Sequence, residues 1–405
     1  MKFEAPPGTH DVLAKDWPHW QRILRTVERL CRRYGYQPIS TPVFEDTDLF
    51  LRTSGGGSDV VQKEMYTFED RGKRSLTLRP EGTAPIARAY LQHGLHREPQ
   101  PQKLFTIAPM YRYARPQRGR YREHWHLSVE AIGSADPAVD AELIQLYAAL
   151  LGALGVTDYQ LQINSIGDRQ CRPRYVEELV AWLDTNDARL DDETREKRKT
   201  TPLRVFDVKD EGVRAVLAEA PSIDEFLCDE CREHFDAVRA CLDAYGVSYE
   251  VDKRLVRGLD YYTRTTWEFI GPEEGAQSTI SGGGRYDYLV EEIGGPPTPG
   301  VGFGAGIERL HLALGDAPAE QEPVEVFFAV EDVGRRTESL RAMAKLRAEG
   351  RNADTDYAGR SLKGQLTQAQ RLGAEIVVIA HERGFTVRRR GQDDVEVGSV
   401  DELAL

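Results

Sequence analysis

The sequence predicts a chain of mixed α and β structure in two domains, and three observations lead to that prediction. Two alternating apolar runs flank a basic segment at residues 112–122, which is typical of a long β-hairpin. Residues 168–245 then become charged, polar and helical, which predicts a helical insertion. After a linker at residues 315–323, apolar strands alternate with helical stretches, as in a small α/β domain. We therefore expect a larger domain over residues 1–320 and a smaller one over residues 325–405.

Length, composition and charge exclude several classes of protein. A chain of 405 residues, 40% of them hydrophobic and 29% charged, can bury a substantial core. Its net charge of -13 argues against a protein that coats nucleic acid by bulk electrostatics, although it is compatible with a local basic site. The sequence has no run of about 18 apolar residues and no apolar signal-peptide core, so we expect a cytoplasmic protein without a membrane span. Five cysteines, a low and odd number, fit a reducing compartment better than a disulfide scaffold.

The N-terminal region predicts a helix followed by a strand. Apolar residues recur at helical spacing over residues 17–34, and Gly35 ends the pattern. Residues 38–50 predict a short strand that Pro42 interrupts. Because proline cannot donate to a strand ladder, we expect this strand at a sheet edge or at a subunit contact. The three glycines within Ser54–Ser58 favour a flexible loop around a ligand but do not identify the ligand.

A second strand, at residues 75–83, ends in a carboxylate and a hydroxyl, Glu81 and Thr83, before a helical stretch at residues 84–91. Glu81 is well placed for either of two roles. It can stabilise the N-terminus of the following helix through the helix dipole. A carboxylate at the end of a strand can equally bind an ammonium group. The local sequence leaves both roles open.

The basic segment between the hairpin strands carries five arginines, Arg112, Arg115, Arg118, Arg120 and Arg122. Closely spaced guanidiniums repel one another unless an anion lies among them, and arginine is well shaped to bind phosphate oxygens. A solvated loop is the alternative, since most charge runs face water. The equally marked stretches around Glu81 and Arg257 favour an anion-binding site.

Three later stretches carry further candidate groups. Arg257 lies in Arg-Gly-Leu-Asp-Tyr-Tyr, an aromatic setting in which a guanidinium needs a protein carboxylate or a substrate anion. Gly282–Asp287 begins with three glycines, which predicts a close approach of the backbone to another group. Gly300–Leu310 is a glycine-rich strand that leads into a helix. Its small residues leave room for a flat group, and Arg309 can reach a phosphate.

Cysteines in the helical insertion raise the question of a metal site. Cys228, Cys231 and His234 have the spacing of half a zinc site. The remaining candidates, Cys171 and Cys241, are isolated in the sequence, so the other ligands would have to converge through folding. We therefore favour buried structural cysteines, and whether Cys228 and Cys231 bind zinc stays open at this point.

These stretches together resemble the histidyl-tRNA synthetases, a family of class II aminoacyl-tRNA synthetases. The segment around Pro42 is similar to class motif 1, residues 105–130 to motif 2, and Gly300–Leu310 to motif 3. The resemblance covers nearly the whole chain. It implies an α+β class II synthetase catalytic domain, in which helices flank an antiparallel sheet, with a helical insertion and a C-terminal α/β anticodon-binding domain.

Three further stretches are similar to the histidine-binding signatures of that family, namely Leu78–Thr83, Arg257–Tyr262 and Gly282–Asp287. The resemblance implies that Glu81 and Thr83 bind the substrate ammonium group. It also implies that Glu130, Tyr262 and Tyr286 face the imidazole, where a carboxylate can accept from a ring N–H and a phenol can serve the other nitrogen. His126 stands at a further position near the histidine substrate.

The resemblance also implies the groups that bind ATP and tRNA(His). Arg112 would bind the α-phosphate, and Arg120 and Arg309 the outer phosphates of ATP, which enters with Mg2+. Arg257 would contact the substrate carboxylate and the phosphate during adenylate formation, so Arg257 and Arg112 are the expected catalytic residues. Arg115 and Gln117 would meet the acceptor end of tRNA. The family resemblance further implies a homodimer.

Two residues depart from the family pattern, and both lie in the hairpin. Ala114 stands where the family usually has a Glu that helps to orient ATP. His126 stands where the family usually has a Gln near the substrate amino group and ring. Imidazole is a poorer two-way hydrogen bonder than an amide and can carry a charge. His126 could alternatively be a core residue behind the site.

The function that we predict is histidine–tRNA ligation through an ATP-derived adenylate. One alternative is the related regulatory subunit of ATP phosphoribosyltransferase, which binds histidine and does not charge tRNA. Another is an amino-acid ligase with a different acceptor. The domain at residues 325–405 and the complete Arg257–Tyr262 stretch favour the tRNA ligase, because such relatives generally lack the anticodon domain.

Overall fold

The computed structural model describes residues 3–53, 60–208, 210–272, 279–315 and 323–402. The chain divides into two compact units, Met1–Pro318 and Ala319–Leu405. The glycine loop expected at Ser54–Ser58 lies outside the described residues, as does most of the linker expected at 315–323.

An eight-stranded sheet forms the centre of the first unit. Among the described residues, the strands of this unit are β1 (Gln37–Pro38), β2 (Phe44–Asp46), β3 (Tyr66–Glu69), β4 (Ser75–Leu78), β5 (Gln102–Tyr111), β6 (Glu123–Ile132), β7 (Gln160–Ser165), β8 (Glu250–Val251), β9 (Thr263–Ile270), β10 (Thr279–Arg285) and β11 (Gly300–Gly306). The large sheet has the order β1-β5-β6-β11-β10-β9-β7-β8, and β2, β4 and β3 form a separate three-stranded sheet. The two outermost pairs of the large sheet are parallel and its inner pairs are antiparallel.

The predicted hairpin is confirmed. β5 and β6 pair in one unbroken register from Gln102 opposite Ile132 to Tyr111 opposite Glu123. The basic segment therefore connects two neighbouring strands near the middle of the sheet.

Helices flank this sheet, as the predicted fold class requires. In the first unit the described helices are α1 (Trp17–Arg33), α2 (Thr47–Thr53), α3 (Thr83–Gln92), α4 (Pro137–Leu154), α5 (Arg172–Thr185), α6 (Asp192–Thr200), α7 (Glu211–Leu217), α8 (Asp229–Tyr245), α9 (Leu289–Glu292) and α10 (Ile307–Leu314). α5 to α8 form the predicted helical insertion between β7 and β8. Their apolar residues build a second core with α3 and the segment that carries Tyr261 and Tyr262.

One face of the sheet carries the main core. Strand residues alternate between the two faces, so Leu127 and Val129 of β6 and Phe303 of β11 pack against α1 and α4. Within the described residues, α4 alone is long and apolar enough to span a membrane, and half of it is buried inside the protein. Its residues Leu146 and Leu150 belong to the main core, so α4 is the central core helix of this unit.

A buried ion pair ties α4 to β10. Asp140 and Arg285 are both fully buried, and Arg285 donates to both oxygens of Asp140. His234 of α8 lies 3.3 Å from the same carboxylate, measured from Nε2 to Oδ1. Burial alone would raise the pKa of Asp140, but the charge of Arg285 and the hydrogen bonds from His234 and Arg285 hold it at about 2. Arg285 therefore serves the fold and points away from the cavity face of the sheet.

The strand expected over residues 38–50 is wrong in its extent. Only its first residue, Pro38, belongs to β1, at an edge of the large sheet. β2 belongs to the small sheet, and residues 47–53 are helical. Between β1 and β2, the Arg79 side chain donates to the carbonyl oxygens of Thr41 and Pro42. These hydrogen bonds take the place of those that a neighbouring strand would supply. The helix follows because Leu49, Phe50 and Thr53 bury one helical face.

The second unit is a five-stranded mixed sheet with helices on both faces. Its described elements are β12 (Val326–Val330), α11 (Arg336–Ala348), β13 (Ala353–Thr355), α12 (Leu362–Arg371), β14 (Ile376–His381), β15 (Gly384–Arg389) and β16 (Val395–Val397). The strand order is β13-β12-β14-β15-β16, with β12 parallel to both of its neighbours. Separate apolar clusters lie on the two faces, under α11 and under α12. The predicted C-terminal α/β fold is confirmed.

Candidate active site

A cavity of about 250 Å3 lies on the face of the large sheet opposite α1 and α4. The hairpin, β10, β11 and the segment at residues 257–262 surround it. Its walls include these sequence-predicted residues: Glu81, Thr83, Arg112, Arg120, His126, Arg257, Tyr262 and Arg309. These side chains come from four separate stretches of the chain, at residues 81–83, 112–126, 257–262 and 309, which the fold brings to one place.

Four predicted residues do not line the cavity. Glu130 and Tyr286 are 1% exposed and lie behind the cavity wall, where Glu130 accepts hydrogen bonds from Thr83 and from Tyr286. Arg115 is exposed and Gln117 is partly exposed, and both lie in the loop between β5 and β6. Gln117 and Arg120 exchange backbone hydrogen bonds, which close this loop into a tight turn.

The glycines of β11 make room for side chains of neighbouring strands. Gly302 pairs with Glu130, and a Cβ added to Gly302 would lie 1.7 Å from Glu130 Oε2. A Cβ added to Gly304 would lie 2.3 Å from Cε1 of His126. The sequence predicted room for a flat group against this strand, and the imidazole of His126 fills part of that room.

One end of the cavity is a carboxylate and hydroxyl cluster. Thr83 Oγ1 donates to Glu130 Oε1 over 2.7 Å, and the Tyr286 hydroxyl donates to Glu130 Oε2 over 2.6 Å. Burial raises the pKa of Glu130 to about 8, against the lowering effect of these two hydrogen bonds, and the nearby charge of Glu81 also raises it. A buried carboxyl group at this end of the cavity is therefore able to exchange a proton near neutral pH.

Glu81 has the first of its two predicted roles, at the start of a helix, and its ammonium-binding role stays a prediction. Its carboxylate accepts from the backbone N–H groups of Thr83 and Ala84, at the start of α3. It also lines the cavity. Burial raises the pKa of Glu81, although the two N–H groups and the charge of Arg112 oppose that shift.

The opposite end of the cavity is cationic. Arg112 Nε donates to the Pro80 carbonyl over 2.7 Å, and Arg120 Nη2 lies 2.8 Å from Oε1 of Glu64. Arg309 Nε donates to the Gly119 carbonyl over 3.3 Å. Burial lowers the pKa of Arg309, and the like charges of Arg120, Arg112 and Arg257 lower it further. Such convergence of guanidiniums stabilises an anion placed among them.

Arg122 has a different task from the other arginines of the loop. Its guanidinium lies 3.8 Å from the centre of the Tyr113 ring, and its Nε donates to the Ala114 carbonyl. Its backbone N–H donates to the carbonyl of Gly8. Arg122 therefore fastens the loop to the N-terminal segment.

Arg257 lies on the wall between the two ends. It forms an ion pair with Glu268 of β9, so a protein carboxylate supplies the anion that the sequence required. Its guanidinium lies directly over Gly282. Nε of Arg257 has no hydrogen-bond partner among the described residues, although it is buried.

The two residues that depart from the family pattern both line the cavity. His126 Nδ1 lies 3.1 Å from Oγ of Ser128. Burial lowers the pKa of His126 to about 3, assisted by the charges of Arg112 and Arg309, so its imidazole is neutral at pH 7. Ala114 is 4% exposed and offers only a methyl group where a longer side chain would enter the cavity.

Several residues of the cavity wall had no predicted role, among them Tyr261, His124 and Glu308. Tyr261 was part of a quoted motif without a role, and its ring centre lies 4.7 Å from that of Tyr262. His124 precedes His126 by two residues on β6. The period of two along a strand was the signal that places both imidazoles on the same face.

The structure brings Cys228 and Cys231 together with partners other than those that the sequence indicated. His234 bonds Asp140 and does not approach Cys228 or Cys231, because its side chain faces α4. Cys171, which appeared isolated in the sequence, instead joins Cys228 and Cys231. Asp168 completes this group, which lies outside the cavity.

In this largely antiparallel sheet, the β5–β6 hairpin carries arginines to the cavity. Beside the hairpin, a glycine strand leads into a helix with an arginine in its first turn. Together these features define a class II aminoacyl-tRNA synthetase. Comparisons with known proteins specify the family. The family model described as "Histidyl-tRNA synthetase" matches residues 8–310. The chain belongs to the histidyl-tRNA synthetase family.

Individual relatives extend this similarity over both units. The chain is 46% identical over 391 residues to the histidine–tRNA ligase of Rubrobacter xylanophilus, covering 94% of this chain and 92% of that protein. It is 48% identical over 386 residues to the histidine–tRNA ligase of Geobacillus kaustophilus, covering 94% and 90%. The crystal structure of apo S. aureus histidyl-tRNA synthetase superposes with a TM-score of 0.80 at 34% identity, over 98% of this chain and 97% of that one.

Proposed function

We propose that this protein is a histidine–tRNA ligase. It activates histidine with ATP to histidyl-adenylate and then transfers the histidyl group to the 3′ end of tRNA(His). The observation that carries the proposal is the polarity of the cavity: a buried carboxylate cluster at one end and converging guanidiniums at the other, with Arg257 between them. Full-length relatives named histidine–tRNA ligase support the same activity.

Histidine binds at the carboxylate end. Glu81 takes the ammonium group, assisted by Thr83, because a buried carboxylate next to a cavity gains most from a cationic partner. Tyr262 contacts the imidazole at the cavity wall, next to His126. Glu130 and Tyr286 lie behind that wall, where Glu130 accepts from Tyr286 and from Thr83 and so orients Thr83 towards the substrate. An analogue that lacks the ring nitrogens cannot bond the polar groups of this wall, and this loss is the source of selectivity.

ATP binds at the cationic end. Arg112 contacts the α-phosphate, and Arg120 and Arg309 contact the outer phosphates. During activation, the histidine carboxylate oxygen attacks the α-phosphorus and pyrophosphate leaves. Arg257 lies between the two substrates, so its charge stabilises the negative charge that builds up on the transferring phosphoryl group.

Mg2+ accompanies ATP in this proposal. When bound, it neutralises charge on the phosphate oxygens. Glu308 is the residue that fits it: its carboxylate lines the cavity, and Oε2 has no hydrogen-bond partner among the described residues, whereas Oε1 accepts from the backbone N–H of Trp125. One carboxylate together with substrate phosphates is a usual Mg2+ environment.

The tRNA partner and the assembly belong to the same proposal. Arg115 and Gln117 lie in the exposed hairpin loop beside the cavity and contact the acceptor end. The unit Ala319–Leu405 is the anticodon-binding domain, and the unit Met1–Pro318 is the catalytic domain. The protein acts as a homodimer in the cytoplasm.

The regulatory-subunit alternative is not favoured. Relatives named histidine–tRNA ligase match the chain over 94% of its length, including most of the C-terminal unit. The arginines at the cationic end of the cavity also have no task in a protein that only binds histidine.

Two assays test the proposal. Histidine-dependent exchange of labelled pyrophosphate into ATP reports activation, and acylation of purified tRNA(His) reports transfer. We expect both. Histidine binding without exchange would favour the regulatory subunit, and exchange without acylation would favour a ligase with another acceptor.

A further inference from the structure

A compact cluster of four metal-ligand side chains lies outside the cavity. Asp168 and Cys171 follow β7, and Cys228 and Cys231 lie at the start of α8, where the chain returns from the helical insertion. One ligand atom from each of the four lies within 4.8 Å of all the others. Asp168, Cys171 and Cys231 are buried, and Cys228 is partly exposed, so an ion can reach the cluster from one side.

We infer that these four side chains bind a zinc ion. In a tetrahedral site with Zn–S of about 2.3 Å and Zn–O of about 2.1 Å, two sulfurs lie about 3.8 Å apart and a sulfur and an oxygen about 3.6 Å apart. Sγ of Cys171 lies 3.8 Å from Sγ of Cys231 and 3.5 Å from Oδ1 of Asp168. A disulfide would instead require the two sulfurs to be about 2.05 Å apart.

The local backbone is arranged as in a structural zinc site. The ligands form two pairs, Asp-x2-Cys and Cys-x2-Cys, which is the usual ligand spacing in such sites. The backbone N–H of Asp168 donates to Sγ of Cys171 over 3.4 Å, and the N–H of Gln170 donates to Oδ1 of Asp168 over 2.9 Å. Cys171 and Cys228 directly precede α5 and α8, so both lie at the N-terminus of a helix.

Charge and ligand type both favour zinc. Three thiolates and one carboxylate around Zn2+ leave a net charge of about -2, and Nη2 of Arg264 lies 3.5 Å from Oδ2 of Asp168. Soft thiolate ligands exclude Mg2+ and Ca2+, which prefer oxygen. With four protein ligands, the site has no open position for a substrate, so the zinc is structural.

The position of the cluster explains what the zinc does. It joins the segment that enters the helical insertion to the helix that leaves it. The backbone N–H of Arg264 donates to the carbonyl of Gly167 over 2.7 Å, next to the ligand Asp168. Arg264 lies two residues after Tyr262 of the cavity wall, so the zinc fastens the insertion to the strand that follows the histidine-binding tyrosines.

Metal content and a spectroscopic probe test the inference. Full-length protein from zinc-supplemented medium should contain on the order of one zinc per chain by elemental analysis. Replacement of the zinc by Co2+ should produce the thiolate charge-transfer band and the strong visible bands of tetrahedral cobalt. Cys228→Ser and Cys231→Ser should lose the zinc, whereas Cys241→Ser, on the same helix and outside the cluster, should keep it.

A milder variant covers the case in which the cysteine variants fail to fold. Asp168→Asn keeps the size of the side chain and should weaken zinc retention against a chelator roughly tenfold or more. The inference is overturned if the parent protein shows neither the zinc nor the cobalt signal. It is also overturned if Asp168→Asn retains zinc against the chelator as well as the parent does. Titration of only three of the five cysteines as thiols after unfolding with a chelator would reveal a disulfide and overturn it as well.

Discussion

The alanine variant of Gly282 separates the role of Arg257 in activation from any role in histidine binding. A Cβ at residue 282 would lie 2.4 Å from Cζ and Nη2 of Arg257 and 2.6 Å from Nη1. Ordinary contact begins near 3.4 Å, so the guanidinium has to move by about 1 Å, which a flexible side chain can do without unfolding the sheet. A displacement of about 1 Å from a reacting group costs roughly 100-fold in rate, or about 2.7 kcal/mol in the activation barrier.

Pyrophosphate exchange and histidine titration measure the two effects separately. We expect Gly282→Ala to lower the exchange rate by about 100-fold, to leave the histidine dissociation constant within about threefold, and to approach the loss caused by Arg257→Ala. Gly152→Ala is the matched control, because Gly152 is exposed on α4 and its added Cβ would meet nothing within 4 Å. If Gly282→Ala exchanges pyrophosphate like the parent while Arg257→Ala is inactive, a Cβ at residue 282 does not displace the Arg257 guanidinium, and the reasoning is refuted. Equal losses in exchange and in histidine binding would show that Arg257 is structural.

Three further predictions concern stability and substrate affinity. Asp140→Ala should lower the free energy of unfolding by about 3–5 kcal/mol in urea titrations, because it leaves the buried Arg285 unpaired. The pKa of Asp140 is lowered to about 2, so its contribution is present above pH 4 and is lost as pH falls through 2; a pH-independent difference would contradict the ion pair. The pKa of Glu130 is raised to about 8, so its contribution to stability falls as pH rises from about 4.5 to 8. Over that range Glu130→Gln should gain stability relative to the parent by about 1.4 kcal/mol per pH unit, and parallel pH profiles would disprove the shift. Ala114→Glu adds a carboxylate at the cavity wall and should lower the KM for ATP in the exchange assay several-fold, by about 1 kcal/mol, while Ala114→Gln should have the smaller effect; an unchanged or higher KM would show that Ala114 has no part in orienting ATP.

Local patterns were sufficient to predict the hairpin and the glycine strand, whereas the family resemblance supplied the roles of most cavity residues. Alternation over β5 and β6 determines which residues share a face, and the glycine motif of β11 lies within a single strand. Both signals are contained in about ten consecutive residues, so no knowledge of the tertiary fold was needed.

Long-range pairs could not be predicted in the same way. Asp140 and Arg285 are 145 residues apart in the chain, and Cys171 and Cys231 are 60 residues apart. Nothing near Cys171 in the sequence indicates that the chain will return to it. The error at residues 38–50 has a similar origin, because the partner that replaces the strand ladder there is the distant side chain of Arg79.

The strands β11 and β6 contribute different groups to the cavity region. Gly302 and Gly304 provide only backbone on the cavity face, while Glu130 and His126 reach across them from β6. A side chain gained on β11 would occupy space already filled, whereas a replacement on β6 alters the shape and polarity of the cavity without disturbing its floor. A descendant of this protein can acquire a different amino-acid preference by changing β6 while it keeps the strand beneath unchanged.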